Sequence, residues 1–341
     1  MTAPVLGPVF DHLLHMTDRR GTFEHANLTE PATEHGYCTD DMARVLVVVS
    51  REEPDPDRKL NGIAGLAIRF LGEAQALTGA CRNRMDSTGK WTDEPALEDS
   101  WGRCLWGLGT AAAQANTAFV RESAKIQFER AALQRSPSPR AMAFAALGAA
   151  ELLTADPNHV EARELLTYYA RTVIAPSDDP AWPWPEPRLA YANAVLAEAM
   201  IAAGTALDDA ALQRRGLDLL GWLVDYETVD GHFSPTPVGG RGADDVRPAF
   251  DQQPIEVSSL ADACARAAAA DPSPSWPDGV RRAAAWFEGD NDSGQVMWDA
   301  KTGGGFDGLH VDGVNRNQGA ESTLAALSTM QHARRISAVR Q

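Results

Sequence analysis

The chain has 341 residues, of which 44% are hydrophobic and 23% are charged, a balance typical of a soluble globular protein. Its formal net charge of −16 argues against nucleic acid or an anionic membrane as the main partner, because basic surfaces bind both. The stretch Met1–Met16 lacks a basic start and a long apolar run, so no signal peptide is predicted. No window of the sequence approaches 18 uninterrupted apolar residues, so no membrane span is predicted. With four scattered cysteines and no C-x-x-C pair, a cytoplasmic protein with reduced thiols is expected.

Helical periodicity dominates the chain and separates into two alternating sets. The first set is amphipathic and covers Leu6–Met16, Leu60–Leu77, Thr117–Leu133, Val160–Ile174, Asp208–Tyr226 and Gly279–Phe287. The second set is richer in Ala and Gly and lies at about 40–50, 98–113, 139–153, 188–204, 255–270 and 318–332. Because small residues allow close helix approach, the second set is predicted to form an inner ring. The expected fold is all-α, a single domain over 1–341 built as an (α/α)6 toroid; a generic α-solenoid is the alternative.

Five long segments rich in Gly, Trp, Asp and Pro precede helices of the inner set. They cover 17–37, 79–96, 175–187, 227–254 and 289–316. Long loops of this kind are usually functional, and small hairpins are predicted near residues 89, 231 and 305. Because all five precede inner helices, they are expected to cover one face of the ring.

Six polar clusters run directly into the inner helices, and five of them contain carboxylates. They are Cys38–Arg44, Leu97–Arg103, Ser136–Arg140, Trp182–Arg188, Phe250–Glu256 and Asn317–Ser322. If the inner helices run parallel, these clusters converge at one mouth. As a set, together with His35–Arg44, Trp182–Ala194 and Gly231–Pro235, they resemble the bacterial six-hairpin carbohydrate-active domains that occur alone or attached to sugar transferases. The resemblance covers nearly the whole chain and implies glycoside hydrolysis, mostly with inversion, on a fold that some sugar isomerases share.

Glycoside cleavage needs two carboxyl groups in different environments, one protonated and one ionised. The candidates for this pair are Asp40, Asp41, Asp99, Asp251, Glu256 and Glu321. Glu256 or Glu321 is favoured as the acid and Asp41 or Asp99 as the base, since a helix N-terminus favours negative charge. The competing interpretation for each is helix capping or a first-turn acidic residue.

Aromatic, amide and charged side chains near the same helix starts are candidates for substrate binding, because aromatic faces stack on sugars and amides bond hydroxyl groups. The set is Tyr37, Trp91, Glu98, Trp101, Arg103, Trp182, Trp184, Glu186, Arg188, His232, Gln252, Gln253, Asn317 and Gln318. Core packing of the Trp residues and structural salt bridges of the Arg residues are the alternatives. No metal-ligand constellation and no cofactor motif is found.

The sequence therefore predicts a glycoside hydrolase, or a phosphorolytic relative, acting on a short oligosaccharide. A sugar epimerase or isomerase is the first alternative, and it would require His35, His232 and His310 to converge, since that chemistry uses an imidazole base. A non-catalytic glycan-binding toroid that partners a sugar transferase is the second. A terpene-cyclase-like toroid is disfavoured, because Met42, Ala43 and Arg44 follow Asp41 where further acids would be needed. Oligomeric state is not indicated.

Overall fold

The structure, a computed structural model, describes residues 8–54 and 59–338. Within these ranges the chain forms twelve α-helices, which alternate between an inner and an outer position. The inner helices are α2 (Thr39–Ser50), α4 (Asp99–Gln114), α6 (Pro139–Ala155), α8 (Ala194–Ala206), α10 (Pro254–Ala270) and α12 (Ala320–Ala338). The outer helices are α1 (Asp11–His15), α3 (Lys59–Ala74), α5 (Ala118–Ala131), α7 (Val160–Thr172), α9 (Ala210–Tyr226) and α11 (Ser275–Phe287).

The six inner helices close into a ring. Each packs against the next, α2 on α4, α4 on α6, and so on to α12, which returns to α2. Outer helices α3, α5, α7, α9 and α11 pack on the inner helices that precede them, and α1 packs on α12. The closed ring confirms the predicted (α/α)6 toroid and excludes an open solenoid.

Glycines set the closest approach within the inner ring. A Cβ on Gly109 of α4 would lie 2.0 Å from the Gly148 carbonyl oxygen of α6, and a Cβ on Gly148 would lie 2.1 Å from that of Leu105. No larger residue fits such a contact, because real Cβ atoms do not come this near to backbone. The Ala- and Gly-rich composition of the inner set is therefore a packing requirement of the ring.

Short antiparallel strand pairs form in the loops before the inner helices. Three of those in the described residues are hairpins: β1 (Ala26–Asn27) with β2 (Glu30–Pro31), β5 (Thr228–Val229) with β6 (His232–Phe233), and β7 (Gly308–His310) with β8 (Gly313–Asn315). The fourth pair joins two different loops, β3 (Tyr37–Cys38) with β4 (Arg84–Met85). The hairpin at residue 231 lies where the sequence predicts it. The one expected near residue 305 forms slightly later, at 308–315.

Several helix boundaries differ from the sequence-based prediction. Helix α3 ends at Ala74 rather than Leu77, α11 begins at Ser275 rather than Gly279, and α12 extends to Ala338 rather than 332. Helix α8 begins at Ala194 rather than 188, because Leu189 instead pairs with Arg241 and Ala192 has a φ of 46°. The first helix was predicted over Leu6–Met16 and is observed at Asp11–His15; the prediction over residues 6 and 7 lies outside the described residues.

A buried ionic network of inner-helix residues lies towards the opposite end of the ring, where its members line a second cavity of about 300 Å³. Arg51 donates to Asp262 (2.7 Å), which also bonds His332 (2.6 Å). Arg266 pairs with Glu151 and lies 3.5 Å from Glu198. Within the described chain, no helix has both the length and the apolar character needed to cross a membrane.

Candidate active site

A cleft of about 350 Å³ opens on the face where the inner helices begin. This volume is at the lower end of the range for small-molecule sites. Its lining residues are Glu24, His25, Cys38, Asp40, Asp41, Arg44, Arg84, Tyr191, Asp251, Gln253, Asp307, Asn315, Gly319, Glu321 and Ser322. They come from the starts of α2, α10 and α12 and from four of the five long loops predicted from the sequence.

One guanidinium, that of Arg44, organises the floor of the cleft. It donates through Nη1 to Asp41 Oδ1 and through Nη2 to Glu321 Oε2, both at 2.6 Å. Nη2 also donates to the Tyr191 hydroxyl (2.6 Å), which in turn donates to Glu321 Oε2 (3.0 Å). Arg44 therefore joins the first turns of α2 and α12, which are far apart in sequence.

Asp41 is a buried carboxyl group at this floor. Its Oδ2 accepts a hydrogen bond from the Cys38 thiol (3.1 Å), and Cys38 Sγ caps α2 by accepting from the Asp41 N–H. Burial raises the pKa of Asp41 to about 6, although Arg44 opposes that shift. Cys38 supplies the cap of α2, so the competing interpretation of Asp40 and Asp41 as helix caps does not apply.

Asp40 lies beside Asp41 in a different environment. Its Oδ2 accepts from Asn83 Nδ2 (2.9 Å), and its Oδ1 is 3.3 Å from Arg103 Nε without the alignment of a hydrogen bond. Arg103 is buried, stacks on Phe144 (4.2 Å to the ring centroid) and donates to the Tyr191 hydroxyl (2.5 Å). Asp41 therefore faces Arg44, and Asp40 faces Arg103.

Asp251 is a cleft carboxyl group that has no arginine partner among the described residues. Its side chain is 34% exposed, its Oδ1 makes no hydrogen bond among the described residues, and His310 Nδ1 lies 3.8 Å away. Gly308 makes room for it, since a Cβ there would be 2.3 Å from Oδ1. Partial burial raises the pKa of Asp251, with His310 opposing the shift.

Asp307 is a second cleft carboxyl group with a raised pKa. Burial raises the pKa above its ordinary value, and Oδ1 accepts a hydrogen bond from the Gly319 N–H (2.9 Å). Glu24, by contrast, is ion-paired with Arg84 and lies 3.8 Å from His25. The ring of His25 meets that of His35 edge to face at 4.8 Å.

Glu256 lies beneath the cleft and holds the turn that carries Tyr191. Its buried carboxylate accepts from the backbone N–H of Ala192, from the Asn193 N–H (3.2 Å) and from Asn193 Nδ2 (2.9 Å). Ala192 has a positive φ, which is unfavourable for a residue with a Cβ. Three hydrogen bonds to one carboxylate hold this backbone in place and aim Tyr191 at Arg44.

The cleft contains one group of side chains with the spacing of a metal site. Glu24, Cys38 and Asp41 place three ligand atoms within 4.8 Å of one another. Two features make this group a poor cation site: Asp41 is already neutralised by Arg44, and burial raises the pKa of the Cys38 thiol well above its usual value, so it keeps its proton. Glu129, His159 and Glu161 form a similar group outside the cleft. The expectation of no metal and no cofactor stays a prediction.

The sequence-based catalytic candidates fall into three positions. Asp40, Asp41, Asp251 and Glu321 line the cleft. Glu256 supports it from below. Asp99 is not among its lining residues, and its Oδ1 faces Ser138 (3.5 Å), the cap of α6.

The aromatic candidates pack into the protein rather than lining the cleft. Trp101 is fully buried and donates to the Ala131 carbonyl (3.2 Å). Trp182 and Trp184 pack against Trp222. Trp91 packs on Phe70, and Tyr37 is buried and donates to Asp18 (2.9 Å).

The polar binding candidates mostly form structural contacts, with Gln253 the member that lines the cleft. The contacts are Glu186 with Arg140, Arg188 with Asp245, His232 with Asp292, Gln252 with Asp292, and Asn317 with the Leu28 N–H. Gln318 is buried and Glu98 is exposed at the N-cap of α4. Arg103 acts on the cleft through Asp40 and Tyr191.

Several cleft residues were not singled out from the sequence. They are Glu24, His25, Arg84, Tyr191, Asp307, Asn315 and Ser322. Glu24, His25, Arg84, Asp307 and Asn315 lie in three of the long loops that the sequence places on this face. A polar or charged side chain in one of these loops is therefore the sequence feature that could have identified them.

Twelve helices paired around a closed ring, with a polar cleft where the inner helices begin, define an (α/α)6 toroid. The sequence matches no protein-family model and no curated protein.

Solved structures share this fold over nearly the whole chain. A sugar epimerase from a ruminal bacterium superposes with a TM-score of 0.70 at 13% identity, covering 94% of this chain and 95% of that one. Cellobiose 2-epimerase of Spirochaeta thermophila gives 0.67 at 15% identity, covering 96% and 94%. A GH76 α-mannanase of Bacteroides thetaiotaomicron gives 0.62 at 11% identity, covering 89% and 88%. At these identities the likeness establishes the fold.

Proposed function

We propose that this protein is a glycoside hydrolase that inverts the anomeric centre, with Asp251 as general acid and Glu321 as general base. The observation that carries the proposal is the contrast between these two carboxyl groups in one cleft. Asp251 has no arginine partner, whereas Glu321 is bound by Arg44 and Tyr191. Such a difference of environment is what glycoside cleavage requires of an acid and a base.

Asp251 suits the acid because its environment raises its pKa and so shifts it towards the neutral form. Partial burial raises its pKa, and its Oδ1 is not engaged by another residue that the structure describes. A protonated carboxyl group at this position can donate to the leaving glycosidic oxygen. The sequence-based preference for Glu256 or Glu321 as the acid is not retained in this proposal. Three N–H groups already bond the Glu256 carboxyl group, and Glu321 is bound by Arg44, which favours its ionised form.

Glu321 suits the base because its charge is balanced and its Oε2 is fixed. Arg44 and Tyr191 both bond Oε2, and one third of the side chain is exposed to the cleft. An oxygen bound by two donors is a weak nucleophile, while Oε1 can accept a proton from water. We therefore favour activation of water over direct attack on the sugar.

The proposed hydrolysis takes place in a single displacement step. The bond between the anomeric carbon and the glycosidic oxygen breaks, and the leaving oxygen takes the proton of Asp251. Water forms the new bond to the anomeric carbon and gives its proton to Glu321. Inverting enzymes separate the two carboxyl groups by roughly 6.5–9.5 Å to admit this water.

The experiment is a screen of aryl glycosides and of manno- and gluco-oligosaccharides, with NMR of the first-formed anomer. We expect turnover with inversion and a loss of about 10²–10⁴-fold in kcat for Asp251→Asn and Glu321→Gln. Asp218→Asn and Glu34→Gln, both exposed and outside the cleft, are matched controls. Saccharide binding without any turnover would replace the proposal with a glycan-binding toroid.

A sugar epimerase is the second candidate, and two imidazoles favour it. His25 lines the cleft and His310 lies beside Asp251, while two of the structural neighbours are named as epimerases. Epimerisation at C2 would exchange the C2 proton of a free sugar with solvent. Incubating mannose, glucose and cellobiose in D₂O and following that proton by NMR separates the two reactions; C2 exchange without glycoside cleavage would favour the epimerase.

A further inference from the structure

The charges that line the cleft are strongly unequal. The carboxyl groups are Glu24, Asp40, Asp41, Asp251, Asp307 and Glu321. The arginines among the lining residues are Arg44 and Arg84, and Arg103 supports the floor. The cleft is therefore an acidic surface with few cations.

Each of these cations is already committed to a carboxylate. Arg44 is held between Asp41 and Glu321, both at 2.6 Å. Arg84 is ion-paired with Glu24, to which His25 is also close.

The third arginine is committed in the same way. Arg103 lies 3.3 Å from Asp40. Nε of Arg44 and Nε and Nη1 of Arg103 make no hydrogen bond and are buried from solvent, whereas Arg84 is about half exposed with Glu24 as its counter-ion. An anion in the cleft would therefore meet carboxylates, and every arginine among the described cleft residues already has a carboxylate as its counter-ion.

The groups available to a ligand are mainly hydrogen-bond acceptors. The side chains of Glu321 and Asp40 are 33% and 20% exposed, and ionised carboxylates accept but do not donate. Sugar hydroxyl groups and ammonium groups donate to such oxygens. Phosphate, sulfate and carboxylate groups on a sugar only accept, and like charges brought together in a cleft cost several kcal/mol.

We propose that the cleft is selective for sugars without an anionic substituent, neutral sugars and amino sugars, and that water and not inorganic phosphate is the acceptor. This inference rests on the proposed glycosidase function and narrows it. A phosphorolytic enzyme must hold a phosphate anion beside the anomeric carbon, and each arginine among the described cleft residues already has a carboxylate as its counter-ion. Hydrolysis needs only a neutral water and the carboxylate of Glu321.

Binding of related sugars that differ in charge tests the proposed selectivity against anionic substituents. The probes are mannose, mannosamine, mannuronate and mannose 6-phosphate, with the corresponding glucose series, titrated into the full chain by calorimetry. We expect the uronates and phosphates to bind at least about tenfold more weakly than the neutral sugars, a difference of about 1.4 kcal/mol. Equal or tighter binding of the anionic members would overturn the inference and leave the glycosidase proposal standing. Failure of every sugar to bind would remove both.

A variant that removes the counter-ion of Arg84 provides the sharper test. Glu24→Gln removes the carboxylate that neutralises Arg84, so the affinity ratio of anionic to neutral sugars should rise about tenfold. Glu34→Gln, an exposed glutamate of the same loop outside the cleft, changes the net charge equally and should leave that ratio unchanged. A similar rise in both variants would mean that overall charge, rather than the paired arginine, sets the selectivity.

Product analysis tests the acceptor. With a cleaved glycoside, added inorganic phosphate should leave the rate unchanged, and ³¹P NMR should show no sugar 1-phosphate. Oxygen from ¹⁸O-labelled water should appear at the anomeric carbon of the released sugar. Sugar 1-phosphate formation would overturn this half while leaving glycoside cleavage intact.

Discussion

Tyr191 connects the charged side chains at the floor of the cleft through hydrogen bonds. Its hydroxyl accepts from Arg44 (2.6 Å) and Arg103 (2.5 Å) and donates to Glu321 Oε2 (3.0 Å). Burial raises the pKa of Tyr191, so the hydroxyl keeps its proton and remains a donor at neutral pH. The proposed base therefore depends on a group that titrates far outside the working range.

Removing this hydroxyl should slow catalysis without unfolding the protein. Hydrogen bonds to charged groups contribute about 1.5–3 kcal/mol, so Tyr191→Phe should lower kcat/KM about 10- to 150-fold. Steady-state kinetics and circular dichroism measure the two effects. Tyr169→Phe removes another buried hydroxyl, one without a hydrogen bond among the described residues, and should leave kcat/KM unchanged. An unaltered rate in Tyr191→Phe would show that Glu321 does not rely on it.

His310 gives a pH test that also separates the two candidate reactions. As an acid, Asp251 works only while protonated, so activity should fall as pH rises through its raised pKa. Positive charge on His310 lowers the pKa of Asp251, so His310→Gln should move this alkaline limb to higher pH. The pH profile of kcat/KM measures the shift, with His35→Gln as control. Complete loss of activity in His310→Gln would instead favour an imidazole base and epimerisation.

At the scale of elements, the start of α8 is held by α10. Glu256, in the first turn of α10, binds the backbone of Ala192 and Asn193 just before Ala194, where α8 begins. Burial and the neighbouring Glu227 raise the pKa of Glu256 to about 8, opposed by those N–H groups. One inner helix thus fixes the conformation that precedes the next.

This arrangement predicts a specific dependence of stability on pH. The unfolded pKa of a glutamate is about 4.3. Between that value and about 8 the native state holds a proton on Glu256 that the unfolded state has lost. The contribution of Glu256 to stability is therefore fully present below the unfolded pKa and is lost as pH rises towards 8.

Glu256→Gln tests this contribution, because glutamine cannot titrate. Urea unfolding at several pH values should show the wild-type advantage shrinking as pH rises from about 5 to about 8. The variant should also lose activity, because its amide N–H groups face those of Asn193 and displace Tyr191. Glu34→Gln, which removes an exposed carboxylate, is the control. A constant stability difference across this range would contradict a raised pKa for Glu256.

At the scale of the whole molecule, the cleft and a buried ionic network lie towards opposite ends of the ring. The cleft occupies the end where the inner helices start, and Asp262 with Arg51 and His332 lies towards the other. Burial alone would raise the pKa of Asp262, but Arg51 and His332 more than offset this and hold it below the usual range. This network should contribute to folding without taking part in chemistry.

Breaking the network should therefore destabilise the protein and spare the reaction. Asp262→Asn leaves Arg51 buried without its countercharge, and a loss of about 3–5 kcal/mol is expected from urea unfolding. The value of kcat/KM per folded molecule should stay at the wild-type level. Asp218→Asn breaks an exposed pair with Arg214 and should change stability by less than about 1 kcal/mol. A large fall in kcat/KM for Asp262→Asn would mean that the two ends are coupled.

The sequence by itself determined the ring and the face that carries the cleft. Helical periodicity follows from the local spacing of apolar residues. The Ala- and Gly-rich inner set follows from residue size, as the contact of Gly109 with Gly148 shows. Both properties are visible in the sequence without knowledge of the long-range contacts. The polar clusters before the inner helices placed Asp41, Asp251 and Glu321 on the right face for the same reason.

Only the tertiary structure decided which of these carboxyl groups face one another. Glu256 and Asp251 are five residues apart, yet one is occupied by three N–H groups of the next segment and the other has an unbonded oxygen. The partners that make this difference come from distant loops and helices, and a carboxyl group's protonation depends on those partners and on burial. Long-range contacts, and not the local pattern, therefore set the chemistry of each acid.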